Sequence, residues 1–174
     1  MFEVGDKVVH NDYGICQITG ITARRFPGQD RQDYYEMIPL RDDGFGTRFF
    51  SAVGLEGKLR KPMSREQILF MIDSMLSADP LQIETTGNRA LDMENIRSAY
   101  DTLLRSCDPQ DWVILLRTIY RKGQLLSARR KRISEFESHT REASERLLYG
   151  EIADVMGIPV NEVESFITDR IENK

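Results

Sequence analysis

The chain of 174 residues carries 24 Lys and Arg against 28 Asp and Glu, a formal net charge of −4, with 40% hydrophobic and 30% charged residues. That length holds one large domain or two small ones, no apolar run approaches the roughly 20 residues that span a bilayer, and the charged opening MFEVGDKVV lacks an export signal. A soluble, cytoplasmic protein with no membrane partner is expected, and an acidic average charge excludes indiscriminate nucleic-acid binding.

The first sixty or so residues read as β-structure. Residues 7–9 (KVV), 15–22 (ICQITGIT), 33–38 (DYYEMI) and 47–52 (TRFFSA) are short runs rich in Val, Ile, Thr, Tyr and Phe. The breaks at 11–14, 26–30 and 42–46 combine Gly, which supplies positive φ, with Asp or Asn, which bond within their own turns. Four or five short antiparallel strands follow. Strands this short predict a closed or nearly closed barrel of the SH3 or Tudor kind, which hides its edges. Arg24, Arg25, Arg31, Arg41 and Arg48 lie among exposed aromatics such as Tyr34, Tyr35, Phe49 and Phe50. Arg and aromatic residues are enriched in protein interfaces, so one face is a candidate docking surface. Strand alternation requires about half of those rings for the core.

After Leu59-Arg60-Lys61-Pro62 the period changes from two to about 3.6. Ser64 with Gln67 predicts a capping box, opening a helix whose apolar stripe is Ile68, Leu69, Met71, Ile72, Met75 and Leu76. Residues 77–91 read as loop, with Asp79-Pro80 and Gly87 as breakers, and a second helix is expected after Asp92, turning Ile96, Ala99, Tyr100, Leu103 and Leu104 inward. Asp108-Pro109 is the clearest start signal: an acceptor at the N-cap followed by a ring preset to helical φ. The third helix is expected to run to about Lys122 and end at Gly123. Ser127 then caps a long fourth helix with Ile133, Phe136, Thr140, Ala143 and Leu147 on a seven-residue repeat, and Gly157-Ile158-Pro159 separates it from a short helix from Asn161 to Ile171. The expected fold class is therefore α+β: a β-barrel domain over residues 1–60 and an all-α domain of four to five helices over 61–174.

The run RTIYRKGQLLSARRKR, residues 117–132, holds Arg117, Arg121, Lys122, Arg129, Arg130, Lys131 and Arg132 and no carboxylate, whereas the sequence beyond it is rich in Glu and Asp. Arg117 and Arg121 share a helix face at i,i+4, and a following helix that opens with four cations offers its N-terminal amides to an anion as well. Cations at a helix N-terminus oppose the macrodipole, so helix stability does not explain them. Phosphate contact is one reading; a solvated basic face paired with the acidic stretch is the other.

Other chemistries lack material. Cys16 and Cys107 share no ligand spacing, and His10 and His139 are the only imidazoles, so no metal or other cofactor is expected. No Gly-rich phosphate loop, nucleophile elbow or zinc-protease motif occurs, so neither catalysis nor a small-molecule substrate is expected. Residues 151–167 imitate a helix-turn-helix, yet the second helix offers Asn161, Glu162, Glu164 and Ser165 with no cation before Arg170, a surface that phosphates repel. It reads as structural packing.

The opening Val4-Gly5-Asp6-Lys7-Val8-Val9-His10-Asn11-Asp12-Tyr13-Gly14-Ile15, followed by Gly20-Ile21, resembles the signature of the CarD and transcription-repair coupling factor polymerase-interaction domain. The similarity continues through Tyr34 to Ile38, Thr47-Arg48 and Leu59-Arg60, and more loosely through Leu126-Ser127-Ala128, Lys131-Arg132 and Gly150 to Ala153. The chain is too short for the coupling factor's motor and has no Walker motif, which leaves the stand-alone CarD type.

The resemblance implies a Tudor-like domain that binds the β subunit of bacterial RNA polymerase. It also implies a helical domain on promoter DNA at the upstream edge of the transcription bubble, altering open-complex stability. Arg48 matches a basic position used against polymerase, with Arg24 and Arg25 beside it. Lys131 and Arg132 fall in the DNA-facing patch, with Arg121, Lys122, Arg129 and Arg130 as companions. Family members present a wedge Trp at the start of the second helix of the carboxy-terminal domain. Asp92 or Met93 stands there, making Met93 the candidate wedge, while Trp112 aligns with a core position. The alternative is an adaptor that binds polymerase or another acidic partner and never touches DNA.

Overall fold

The computed structural model describes residues 1–28, 30–41, 47–54 and 58–173. Strands β1 (Lys7–His10), β2 (Gly14–Arg24), β3 (Gln32–Pro39), β4 (Phe49–Ala52) and β5 (Leu59–Arg60) precede helices α1 (Arg65–Ser74), α2 (Arg89–Arg105), α3 (Pro109–Ser127), α4 (Glu135–Met156) and α5 (Val160–Glu172). The class is α+β, as expected. The anticipated turn at 42–46 and Gln29 of the 26–30 break lie outside the described residues.

The strands form one antiparallel sheet in the order β4-β3-β2-β1-β5. It is open rather than closed: among the described residues β4 and β5 are its two edges. Burial explains why closure is unnecessary. Val8, opposite Cys16 in the β1–β2 register, packs on one face with Ile18, Tyr35, Met37 and Leu59. Val9 points the other way and joins the helical core with Leu147, Leu148 and Ile152 of α4. The second face is thus covered by α4 at β1 and the start of β2, and the sheet's edge strands are only four and two residues long, which limits unpaired backbone. Gly14 sits at φ +69° where β2 meets α4, and a Cβ added there would stand 3.5 Å from Leu147 Cδ2.

The helical boundaries follow their caps. Ser64 Oγ accepts from Gln67 N while Gln67 Oε1 accepts from Ser64 N, completing the expected box before α1. Ile68, Met71 and Ile72 of its stripe are buried, whereas Leu76 lies exposed in a single 3₁₀ turn. Helix α2 starts earlier than expected, because Asn88 caps it by accepting from Ala90 N and Leu91 N. Asp92 instead accepts from Thr86 N and Oγ1, folding the preceding loop back onto the helix. Asp108 and Pro109 open α3 as expected. That helix passes through Gly123 and ends at Ser127, and the cap of α4 is Ser134, boxed with Glu137. At Gly123 the returning chain passes at ordinary van der Waals range, a Cβ there standing 3.7 Å from Ile133 Cγ2. Gly157, at φ 72°, ends α4, and Pro159 begins α5.

Arg60 joins the sheet to the helices. Its Nη1 and Nη2 each lie 2.6 Å from an oxygen of Glu151, a fully buried residue of α4, and Glu151 Oε1 also accepts from Met63 N at 2.7 Å. The Arg60 Nε donates to the carbonyl of Cys107, which occupies the α2–α3 corner at φ 62°. Its guanidinium lies 5.5 Å from the ring centroid of fully buried Trp112. Lys7 to Asp154 at 2.8 Å and Arg41 Nε to Gly150 O at 3.1 Å add links at the same end of α4.

Removing one partner of a buried, fully hydrogen-bonded pair leaves the other charge uncompensated, at a cost of about 3–5 kcal/mol. Glu151→Ala is expected to lose about that much in urea denaturation, and the double change Arg60→Met with Glu151→Leu to recover most of it. An exposed-site cost below about 1 kcal/mol for Glu151→Ala would contradict this account.

Candidate functional site

Two groups of arginine and lysine face outward. On the sheet, directly opposed residues point to one side, and the registers place Gly20, Glu36 and Phe50 in a row, with Thr22, Tyr34 and Ala52 in the next. Arg24, at the end of β2, lays its guanidinium 3.9 Å from the Phe50 ring centroid. Arg48, immediately before β4, donates from Nη1 to Glu36 Oε1 at 3.0 Å, its side chain still 69% exposed. Phe50 and Glu36 are opposite one another, so the structure brings Arg24 and Arg48 to the same patch. Arg25 is exposed next to it. Phe26 supports the patch edge-on against Tyr34 at 4.9 Å. Tyr34 and Tyr35, expected to be exposed, are 5% and 0% exposed, because both faces of β3 are covered at those positions. Phe49 and Phe50 are half-buried.

The basic run lies at the junction of α3 and α4, arranged differently from the expectation. Arg129 N donates to Leu126 O, Arg130 N to Ser127 O and Lys131 N to Leu126 O. With Arg130 in the left-handed region at φ 55°, this is a Schellman ending on a non-glycine residue. Arg129, Arg130, Lys131 and Arg132 therefore follow the C-terminus of α3 and lead to α4 without being part of it, and all four are exposed. The expected use of helix N-terminal amides is overturned. At the start of α4 the Glu137 amide is taken by Ser134 Oγ, and the first turn carries Glu135 and Glu137, which an anion avoids. The placement also has a helix-stability component after all, since cations beyond a helix C-terminus complement the dipole.

The other expected members divide. Lys122 donates to Glu137, a residue 3% exposed, and is neutralised there. Burial raises the Glu137 carboxyl, but hydrogen bonds from Lys122 and Ser134 outweigh it and hold it below the ordinary 4.5. Arg121 is exposed, whereas Arg117 turns inward and donates from Nη1 to Met75 O at 3.1 Å. No ion pair among the described residues engages Arg121, Arg129, Arg130, Lys131 or Arg132. Met93, in the second turn of α2, is half-buried.

Sequence reasoning missed Arg97. It lies four residues beyond Met93, on the same face of α2, and its exposed guanidinium stands 5.4 Å from the ring centroid of Phe136 in the first turn of α4. The packing of α2 on α4 also stacks Tyr100 on Phe136 with centroids 6.1 Å apart. Spacing from Met93 was visible; the crossing of the helices was not. The boxed serine was visible too, as Ser134-x-x-Glu137.

The thiols are sequestered. Burial pushes Cys16 up to about 12 and Cys107 up to about 11, which removes thiolate at neutral pH. The helix-turn-helix mimic is packing: Val163 and Ile167 of α5 enter the main core beside Met156.

Residues 2–46 match the family model described as the CarD-like/TRCF RID domain, so this part of the chain, from the amino terminus through β3, is CarD-like. The helical part lies outside the match. No curated protein matches the chain.

Two measurements test the bend. Left-handed backbone costs an L-residue about 1 kcal/mol relative to glycine, so Arg130→Gly is expected to raise the unfolding midpoint in urea, and a loss of stability would exclude the observed ending. Because the folded-state pKa of Glu137 is depressed, its stabilisation is present above 4.5 and is lost as pH falls below that value toward the lower folded pKa. Glu137→Gln is expected to flatten the stability-pH curve in that window; an unchanged curve would show that the Lys122 pair does not form.

Proposed function

We propose that this chain is a non-catalytic bacterial transcription regulator that docks on RNA polymerase through its sheet and touches promoter DNA through the α3–α4 bend. The CarD-like match over residues 2–46 supports the polymerase half. In that reading Arg24, Arg48 and Arg25 meet the β subunit, with Phe50 as the apolar centre of the patch. Arg24 is already held over Phe50 and Arg48 against Glu36, so little side-chain freedom is lost on docking.

For the DNA half, the observation that carries the proposal is four consecutive exposed cations with no carboxylate paired to them among the described residues. Side chains alone do the work here, since the first turn of α4 carries Glu135 and Glu137, which repel an anion. Arg129, Arg130, Lys131 and Arg132 would contact phosphates and fix register, with Arg121 upstream and Arg97 beside them adding only to the positive field, while the adjacent face of α2 presents Met93 to the upstream edge of the bubble. Met93 replaces an aromatic wedge with a flexible apolar one, so its effect on open-complex lifetime is modest. Lys122 is reassigned from contact to support, because Glu137 holds it.

Four phosphate contacts give log K against log salt a slope of about −3.6, at about −0.9 per contact. Fluorescence anisotropy with a promoter duplex is expected to show such a slope, and to lose binding when Arg129, Arg130 and Lys131 are all changed to Glu. Pull-down with the polymerase β subunit is expected to succeed and to weaken on Arg48→Glu. Retained polymerase binding with no DNA binding at low salt would replace this reading by the adaptor, the alternative that the internal neutralisation of Lys122 favours. Unaltered pull-down by Arg48→Glu would remove the docking patch.

A further inference from the structure

A cavity of about 580 Å³ opens between the end of α1, helix α3 and helix α5. Its volume falls in the ordinary range for small-molecule sites, about 300–1,000 Å³. The aliphatic wall is Met75, Leu76, Val113, Leu116, Ile167 and Ile171. At one side stand Arg117 and Arg121, one turn apart on α3, with Gln124 in the following turn.

The cationic side is incompletely satisfied. Arg117 spends Nη1 on Met75 O, but its Nε is buried and meets no acceptor among the described residues. A buried donor without a partner costs about 1–3 kcal/mol, and more when it belongs to a charged group. Arg121 has no ion pair among the described residues. Among the described residues Glu164 is the only carboxylate lining the cavity, and it is exposed. The lining therefore offers an excess of one positive charge beside an aliphatic surface. A polyphosphate carries too much charge for it.

We infer that the cavity between α1, α3 and α5 binds an amphipathic monoanion, an aliphatic chain ending in a carboxylate, whose head meets Arg117 and Arg121 and whose chain lies along Leu116, Ile167 and Ile171. This inference is independent of polymerase or DNA contact.

Sodium decanoate, below its micellar range, is the probe, titrated into the full chain and followed by ¹H–¹⁵N correlation spectra. Saturable one-to-one shifts at the amides of α3 and α5 that line the cavity are expected, with decanol at least about tenfold weaker. A hydrogen bond to a charged group contributes about 1.5–3 kcal/mol, so Arg117→Gln is expected to weaken binding about tenfold or more. Arg117 also holds the end of α1, so Arg121→Gln, at an exposed position, supplies a variant that keeps the fold, with an expected loss of at least about threefold. Thr168→Trp fills the cavity from an exposed lining position and is expected to abolish binding. Absence of saturation, shifts confined to the exposed Phe70 or Leu125 regions, or affinity unchanged in both arginine variants overturns the assignment.

Discussion

The buried pair between Arg60 and Glu151 fixes how the two halves of this molecule meet. Arg60 is the last residue of the last strand, and the carboxylate that receives it is fully buried in the longest helix. Such a pair gains little net stability over an apolar substitute, because desolvation consumes most of the Coulombic gain. Its geometry is demanding, however. Five groups converge there: a guanidinium, a carboxylate, the Met63 amide, the Cys107 carbonyl and the Trp112 ring. An alternative docking of sheet on helices would leave a buried charge unmatched, so the arrangement is specified by what it excludes.

The sequence made the local structure legible where the signal was chemical and short-range. Ser64 with Gln67, and Asp108 with Pro109, mark helix starts through atoms within one turn, and both appear where expected. The bend departs from the sequence reading because Gly123 reads as a terminator, whereas α3 runs through it to Ser127. The real ending rests on Arg130 in a conformation that composition argues against. Closure of the sheet was misjudged for a different reason. Alternation says that Val8 and Val9 face opposite ways, but not that α4 covers the second side. The pairing of Lys122 with Glu137, and of Arg48 with Glu36, likewise depends on which elements cross.

Charge in this protein is organised by secondary structure more than by total. Acidic residues sit in the first turn of α4 and basic ones beyond the end of α3, each where the backbone dipole accepts it. A segment between two helix ends can therefore be strongly cationic at little conformational expense, and an acidic protein retains a confined positive surface. Arg130 is the exception: a cation is kept where glycine would fit the backbone better.

Helix α4 runs from the cationic bend to the sheet, and from Glu135 to the carboxylate held by Arg60 it spans 16 steps of 1.5 Å, about 24 Å. Because it is clamped at one end and capped at the other, it behaves as a measuring rod. Any pair of partners engaging both ends must present their surfaces at that separation and rotational phase. A flexible tether would let each encounter proceed alone, whereas a stiff one raises the local concentration of the second site only when the spacing agrees. Selectivity among assemblies can then come from length, with no additional contact at either end.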